Sequence, residues 1–333
     1  MKKLSLLLLI ATSLLAGCKF GSTEKSEKAK ASVRLNWLTT CSFAGEVAGA
    51  QKFADKNSLE LKLETGGPGL DPIKLVQSGE NTFGLAGADL VLSANDKGGD
   101  FVIVGLVNYD APGVWVSKAE KNIKSIQDIT PKTRIGELPG GNMIYLYEVF
   151  LKKSGLVRNK NFTPVPIPFE LKGFITGDEC ELRPIFIYEV LPELDLLGIK
   201  YNVIEPKNLG ISFKGLCYFT KRKTVEEHPE MVQNFVNTMI EGWDYALNNP
   251  DSSIAMLKKF DNGINVEKEL LGLKAGEEYF KGYNGKLLYS DNDSWHLMIK
   301  DMRELGFLKN DVDLKKVLDL SFVENYYKKK NAQ

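Results

Sequence analysis

The spacing of apolar and polar positions changes period repeatedly along the chain. Val33 to Trp37 reads as a strand and Gly45 to Asn57 as a helix. Leu59 to Glu64 runs Leu-Glu-Leu-Lys-Leu-Glu, the period of a half-buried strand. Thr65-Gly66-Gly67-Pro68-Gly69 breaks that pattern, and Pro72 to Ser78 starts a helix. Thr82 to Ala86 is a short strand, Gly87-Ala88 a turn of small residues, and Asp89 to Asn95 a further helix. Phe101 to Asn108 is nearly all apolar, as expected of a strand covered on both faces by helices. Strands alternating with helices in this order predict an α/β sheet with right-handed crossovers.

A second unit repeats the theme. Arg134 to Glu137 is a strand, Pro139-Gly140-Gly141 a turn, and Asn142 to Ser154 a helix with Met143, Leu146, Tyr147 and Phe150 on one face. Asn161 to Ile167 is held extended by its prolines, Leu171 to Gly177 is a short amphipathic segment, and Ile185 to Tyr188 reads as a strand. Pro229 to Asn248 and Trp295 to Leu305 are amphipathic helices. The pattern predicts two α/β lobes. Residues 33–112 form the first part of lobe 1, 113–215 form lobe 2, and 216–333 return to lobe 1 with the closing helices. The chain crosses between lobes near Tyr109 to Val116 and near Lys214 to Phe219.

The N-terminus follows neither period. Met1-Lys2-Lys3 is basic, Leu4 to Leu15 is apolar apart from Ser5, Thr12 and Ser13, and Leu15-Ala16-Gly17-Cys18 follows. The run is shorter than the roughly 20 residues that cross a bilayer. A basic start, a short apolar stretch and small residues before a cut are the features of an export signal, here residues 1–17. The small pair before Cys18 resembles the bacterial lipobox, so Cys18 is expected to be lipidated and to anchor the chain to the bacterial cell membrane, on its periplasmic or extracellular face. A buried N-terminal helix is the competing reading, but such a helix would carry polar positions at helical spacing. Residues 18–32, rich in Lys, Glu, Ser and Ala, read as a flexible tether, with a charged first helix as the alternative.

Composition adds exclusions. Among 333 residues, 43 Lys and Arg balance 43 Asp and Glu, which argues against a nucleic-acid partner. Loss of Lys2 and Lys3 with the signal leaves the mature chain slightly acidic. With only two histidines, His228 and His296, a multi-histidine metal site is ruled out, and no metal or cofactor is expected. Cys41, Cys180 and Cys217 sit in no CxxC pair, and buried free thiols fit them better than zinc or thiol catalysis. Neither histidine stands near an activated nucleophile, so no catalytic residue is assigned.

Ligand chemistry points to the turns, because open α/β sheets bind at the carboxyl ends of their strands. The turns Thr65 to Gly69, Gly87-Ala88-Asp89 and Gly140-Gly141-Asn142-Met143 let a ligand approach free backbone N–H groups. Gly67, Ala88, Asp89, Gly141, Asn142 and Met143 are therefore candidates, although glycine at a tight turn also has a purely structural use. None of the turns fits a dinucleotide fingerprint or a P-loop. Trp37, Phe43, Tyr109 and Tyr188 are aromatics at turns, able to sandwich a flat heterocycle or simply to cap the core. Glu46 and Glu189 are the carboxylates placed to meet a ligand amine or ring N–H; for Glu46 the helix macrodipole is an equally good account.

The stretch Gly66-Gly67-Pro68-Gly69-Leu70-Asp71-Pro72-Ile73, continuing through Val76, Gly79, Phe83-Gly84 and Gly87-Ala88-Asp89 to Leu92 and Ala94, resembles the NMT1/THI5-like group of solute-binding proteins. Val33-Arg34-Leu35-Asn36-Trp37 is similar to that group's opening strand, Gly177 to Glu189 to its second-lobe segment, and Glu226 to Trp243 to its helix after the second crossing. The resemblance implies a type II periplasmic-binding-protein fold with a ligand cleft between two lobes. It further implies a monomer that closes by a hinge on a small-molecule ligand and delivers it to a membrane ABC permease with its ATPase. Carried over, Trp37 and Phe43 would stack on the ligand and Ala88 and Asp89 would offer hydrogen bonds. Asn142 and Met143 would present a helix start, and Tyr188 with Glu189 would close from the second lobe.

The leading expectation is an aromatic nitrogen heterocycle, such as a thiamine pyrimidine precursor or riboflavin. A taurine, sulfonate, nitrate or other small-anion binder is the same-class alternative. It calls for a basic residue in the pocket, for which Arg183 is the nearest candidate. A pyrimidine-synthesising enzyme is the different-class alternative, opposed by the scarcity of histidine. A surface lipoprotein that engages another protein is a further one.

Overall fold

The computed structural model describes residues 28–139, 143–177 and 179–332. The export signal, Cys18 and the tether up to residue 27 lie outside the described residues, as do Gly141 and Asn142.

The first sheet has five strands: β1 (Ala29–Arg34), β2 (Leu59–Glu64), β3 (Phe83–Gly87), β4 (Phe101–Leu106) and, far along the chain, β10 (Leu216–Lys221). Their order is β2-β1-β3-β10-β4. β1 is parallel to β2 and β3, and β10 runs antiparallel between β3 and β4. Strand β1 begins at residue 29, inside the segment read from sequence as tether. Register explains this: Ala29 opposes Leu59 and Arg34 opposes Glu64, so β1 is as long as its partner. The all-apolar stretch Leu216 to Phe219 belongs to an interior strand of this sheet rather than to a crossing. Its alternate residues face opposite ways, Tyr218 into one core cluster and Cys217 and Phe219 into another.

The second lobe contains β5 (Gly113–Lys118), β6 (Arg134–Glu137), β7 (Thr163–Pro166), β8 (Arg183–Phe186) and β9 (Tyr201–Ile204). β5 runs antiparallel between β8 and β9, while β6 and β7 form a parallel pair. One parallel bridge, Ile135 to Leu182, joins the two pieces. The resulting order, β7-β6-β8-β5-β9, repeats the plan of the first sheet. The bridge does not grow into a ladder because residue 184, which would donate next after Leu182, is a proline. On the edge strand β7, Thr163 and Ile167 donate to the Thr133 and Glu137 carbonyls. Pro164 and Pro166 take the alternate positions, where an N–H would point out of the sheet.

Helices cover both sheets. Pro72–Ser78 is capped by Asp71, which accepts from the Ile73 N–H at 2.9 Å, and ends at Gly79 in the left-handed region. The helix expected over 45–57 is α-helical only at Ala44–Ala48 and continues as a wide turn, Gly49–Phe53. There helix Pro229–Asn248 packs so closely that a side chain at Gly242 would collide with Gly45 and Gly49. Ile185–Tyr188 is not one strand: β8 stops at Phe186, and Tyr188 and Glu189 occupy the first turn of helix Ile187–Leu196.

Helix Asn292–Glu304 does not return to the first lobe alone. Its Asp301 and Glu304 pair with Lys153 and Lys152 of the second-lobe helix Ile144–Ser154, at 2.8 and 2.6 Å. Just beyond it, the Asn310 N–H donates to Asp96 of the first lobe at 2.8 Å. Cys41, Cys180 and Cys217 are buried free thiols. No described helix is long and apolar enough to cross a membrane.

Candidate functional site

A cleft of about 1070 Å³ lies between the lobes, bordered by the carboxyl ends of the parallel strands. Trp37 and Phe43 follow β1, Gly67 follows β2, and Asp89 opens the helix Ala88–Asp96 after β3. From the second lobe, Met143 precedes the helix after β6, and Tyr188 and Glu189 begin the helix after β8. Gly66, beside Gly67, must be glycine: a Cβ there would collide with the Leu35 carbonyl and the Trp37 N–H. This contact, with the hydrogen bond from the Gly66 N–H to the Trp37 carbonyl at 3.0 Å, fixes the two ligand-facing loops to one another.

Aromatic rings meet across the mouth. Trp37 of the first lobe and Phe169 of the second have centroids 5.7 Å apart at 51°. Phe169 is 49% exposed, as are the neighbouring rim residues Leu38 (54%) and Leu70 (45%), so the entrance is apolar. Tyr188 reaches out of its own lobe into the first-lobe core, where its ring stacks on Phe280 at 5.3 Å.

The charged groups of the wall divide into satisfied and unsatisfied. Asp89 is buried, and its Oδ2 has no hydrogen-bond partner among the described residues. Burial pushes its carboxyl up to about 7, against the pull of the Leu90 N–H and its own. Glu189 makes no hydrogen bond or ion pair among the described residues. Burial, with the nearby Glu269 adding to it and Lys268 opposing, lifts it to about 7. Asn36 Oδ1, also at the cleft, is a third acceptor without a partner there.

The buried basic groups are already engaged, while Lys74 and Lys97 line the rim. Arg183 donates to Glu179 and to the Pro168, Phe169 and Glu170 carbonyls. Lys214 Nζ, buried, donates to the Tyr109 carbonyl at 2.8 Å, lies 3.8 Å from Asp110 and sits over the Tyr109 ring. Burial lowers its pKa to about 8. The wall therefore presents acceptors to a ligand, and its buried cations are held by protein.

Three sequence candidates sit elsewhere. Tyr109 stacks on Tyr283 at 4.6 Å and donates to Asp291 at 2.6 Å, at the crossing and not on the cleft wall. Glu46 is buried under the first sheet, where it accepts from Tyr218. Burial pushes it up to about 7, partly offset by that bond. The Ala88 N–H already donates to the Gly215 carbonyl at 2.9 Å. Sequence reasoning missed Asn36, Phe169 and Lys214. The last left a trace, a single lysine between Phe213 and Gly215 in an otherwise apolar approach to β10. Both histidines are exposed and neither lines the cleft.

Residues 42–253 match the family described as NMT1/THI5 like. No curated protein matches the chain. Among solved structures, the periplasmic sulfonate-binding protein SsuA of a sulfonate ABC transporter from Methylobacillus flagellatus KT superposes with a TM-score of 0.71 at 13% identity, covering 92% of this chain and 96% of its own. The periplasmic aliphatic sulphonate-binding protein SsuA from Escherichia coli gives 0.67 at 16%, covering 86% and 92%. The desulfurization enzyme DSZB gives 0.62 at 13%, covering 90% and 99%. At these identities the likeness establishes the periplasmic-binding-protein fold.

Proposed function

The chain belongs to the NMT1/THI5-like family, and from that premise we propose that it is the solute-binding component of an ABC importer for a small aromatic nitrogen heterocycle, such as a thiamine pyrimidine precursor or riboflavin. One observation carries the reading: Asp89 and Glu189 face one aromatic-lined cleft from opposite lobes with no cation bonded to either among the described residues. A flat ring stacked against Trp37 and Phe43, with amino or ring N–H groups, satisfies both carboxyls and stabilises the closed arrangement. A sulfonate would bring a fixed negative charge to the same place, which favours the heterocycle over the anion carried by the sulfonate-binding neighbours.

Around this core reading stand its companions. Cys18 carries the lipid, the chain is exported and anchored by it, and the protein acts as a monomer that hands its ligand to a permease. Replacing Cys18 by Ser moves the protein from the membrane to the soluble fraction if the anchor is real.

The direct test is to denature the purified protein and identify co-released small molecules by mass spectrometry. Thermal shifts with riboflavin, the pyrimidine precursor and taurine then rank the classes. Tight taurine binding, with no shift from either heterocycle, would sink the proposal.

A further inference from the structure

Helix Val266–Ala275 lies beyond the residues matched to the family, yet it touches ligand-facing elements of both lobes. Its N-cap Asn265 accepts from the Lys268 N–H at 3.1 Å. Glu269, 8% exposed, accepts from the Cys41 N–H at 2.5 Å. Cys41 opens the short turn Cys41–Phe43, which carries Ser42 and Phe43 to the cleft wall. One residue earlier, Lys268 pairs at 2.7 Å with Glu193 on the second-lobe helix whose first turn holds Tyr188 and Glu189.

Small residues bring the helix flush against both partners. A Cβ on Gly272 would collide with the Tyr188 carbonyl and would come 2.7 Å from Cys41 Sγ, and one on Gly276 would come 3.0 Å from Tyr188 Cβ. The Cys41 thiol itself lies 3.8 Å from the Tyr188 carbonyl.

We propose that helix Val266–Ala275 is a strap that sets the first-lobe ligand loop against the second-lobe helix start, with Glu269 its positioning residue. The cleft's role as a ligand site is taken from the proposed function; the strap itself is argued from these contacts alone. A loop that carries a stacking ring binds well only if its backbone is fixed beforehand, since ordering it on binding costs affinity. Glu269 fixes the first N–H of that loop, and Gly272 leaves room for the Tyr188 carbonyl to approach.

The test uses the whole chain and three substitutions. Glu269→Ala should raise amide exchange across 41–44 at least tenfold and weaken riboflavin or pyrimidine-precursor binding about tenfold, the loss of one hydrogen bond from a charged acceptor. Glu269→Gln keeps an acceptor and removes the charge, so exchange stays slow and affinity stays within about threefold of the parent. Lys268→Ala, which removes a partly exposed pair and leaves the core untouched, should speed exchange across 187–193 alone. The strap is overturned if Glu269→Ala leaves both exchange at 41–44 and affinity unchanged, or if Glu269→Gln is as damaging as Glu269→Ala. Should the parent protein bind neither probe, the ligand reading fails, and the exchange data at 41–44 and 187–193 decide the strap by themselves.

Discussion

Four strands of six residues and one of five make up the first sheet, whereas in the second lobe only β5 is that long and its four companions have four residues each. Both sheets follow one strand order. The first is continuous and bonded throughout, with apolar clusters on its two faces. The second is split; one of its faces packs on a small cluster around Val114, Val116, Phe174 and Leu194, while the other, through Trp115, Phe150 and Phe162, shares a large cluster with the first sheet. The carboxyls differ as well. The first lobe buries Glu46 and Asp89 without a cation, while the second, Glu189 apart, pairs its partly buried carboxyls, Glu181 with Arg134 and Glu179 with Arg183. The first lobe is thus a stable platform holding unsatisfied acceptors. The second is a lighter flap that owes much of its position to the helices of the C-terminal third.

The largest expected effect tests the unequal cores. Phe83 and Phe235 are fully buried and stacked 3.8 Å apart at 6°. Phe235→Ala should cost about 3–5 kcal/mol in urea unfolding and loosen both lobes, because the second depends on the first. Phe174→Ala removes a similar ring from the small cluster and should accelerate amide exchange in the second lobe only. If Phe174→Ala loosens the first lobe equally, the platform-and-flap comparison is wrong.

Acid should separate the lobes next. Glu46 titrates near 7 in the fold against an ordinary value of 4.5. Between those values the folded state keeps a proton that the unfolded chain has lost, so stability falls as pH rises from 4.5 to 7 and stays lowered above it. Asp89 and Glu189, raised to about 7 as well, add slopes of the same sign, so Glu46→Gln should remove only its share and stabilise the protein at pH 8 by roughly 3 kcal/mol. Glu181 has the opposite sign. Burial alone would raise its pKa, yet the Arg134 bonds hold it below the usual range, so its contribution is present above 4.5 and lost in stronger acid. A urea midpoint that does not change with pH in the parent protein, or a slope undiminished in Glu46→Gln, would contradict this account.

The cleft carboxyls should come third, at about tenfold in affinity or more for each of Asp89→Asn and Glu189→Gln with a heterocycle probe. Both titrate near 7 when the cleft is empty, so binding of a protonated amine should weaken as pH drops below 7. Unchanged affinity from pH 8 to 5.5 would mean that neither carboxyl meets the ligand as an anion.

The same contrast governs what could be read from sequence. Long strands with a clear period, such as Leu59–Glu64, and a helix with a cap and a terminating glycine, Pro72–Ser78, were legible residue for residue. So was Arg134–Glu137 in the second lobe. The strands missed were β5, β9 and β10. β10 is buried on both faces, so it shows no alternation, and β9, half-buried at three successive positions before Ile204, shows none either. In the site, Trp37, Phe43, Gly67, Asp89, Met143, Tyr188 and Glu189 do converge on one cleft, since turns after parallel strands share one edge of a sheet. Glu46 and Tyr109 belong to buried contacts whose partners, Tyr218 and Asp291, lie 172 and 182 residues away. No local pattern reports such a partner.

The smallest effect concerns the split itself. Leu182 donates to the Arg134 carbonyl at 3.2 Å and accepts from Gly136 at 2.9 Å; in a parallel ladder residue 184 would donate next, to the Gly136 carbonyl. Pro184 cannot. Pro184→Val supplies that N–H on a side chain suited to strands and opposes Trp115 of β5 as the proline does. One added backbone hydrogen bond is worth about 1 kcal/mol, and the lost proline restriction of the unfolded chain takes back part of it. The net change in melting temperature should therefore be within a few degrees. Amide exchange gives the sharper reading: residue 184 should be protected, and Gly136 and Glu137 should exchange more slowly than in the parent. An unprotected amide at 184 would mean that the two pieces are kept apart by their packing, and that proline merely occupies a gap it did not create.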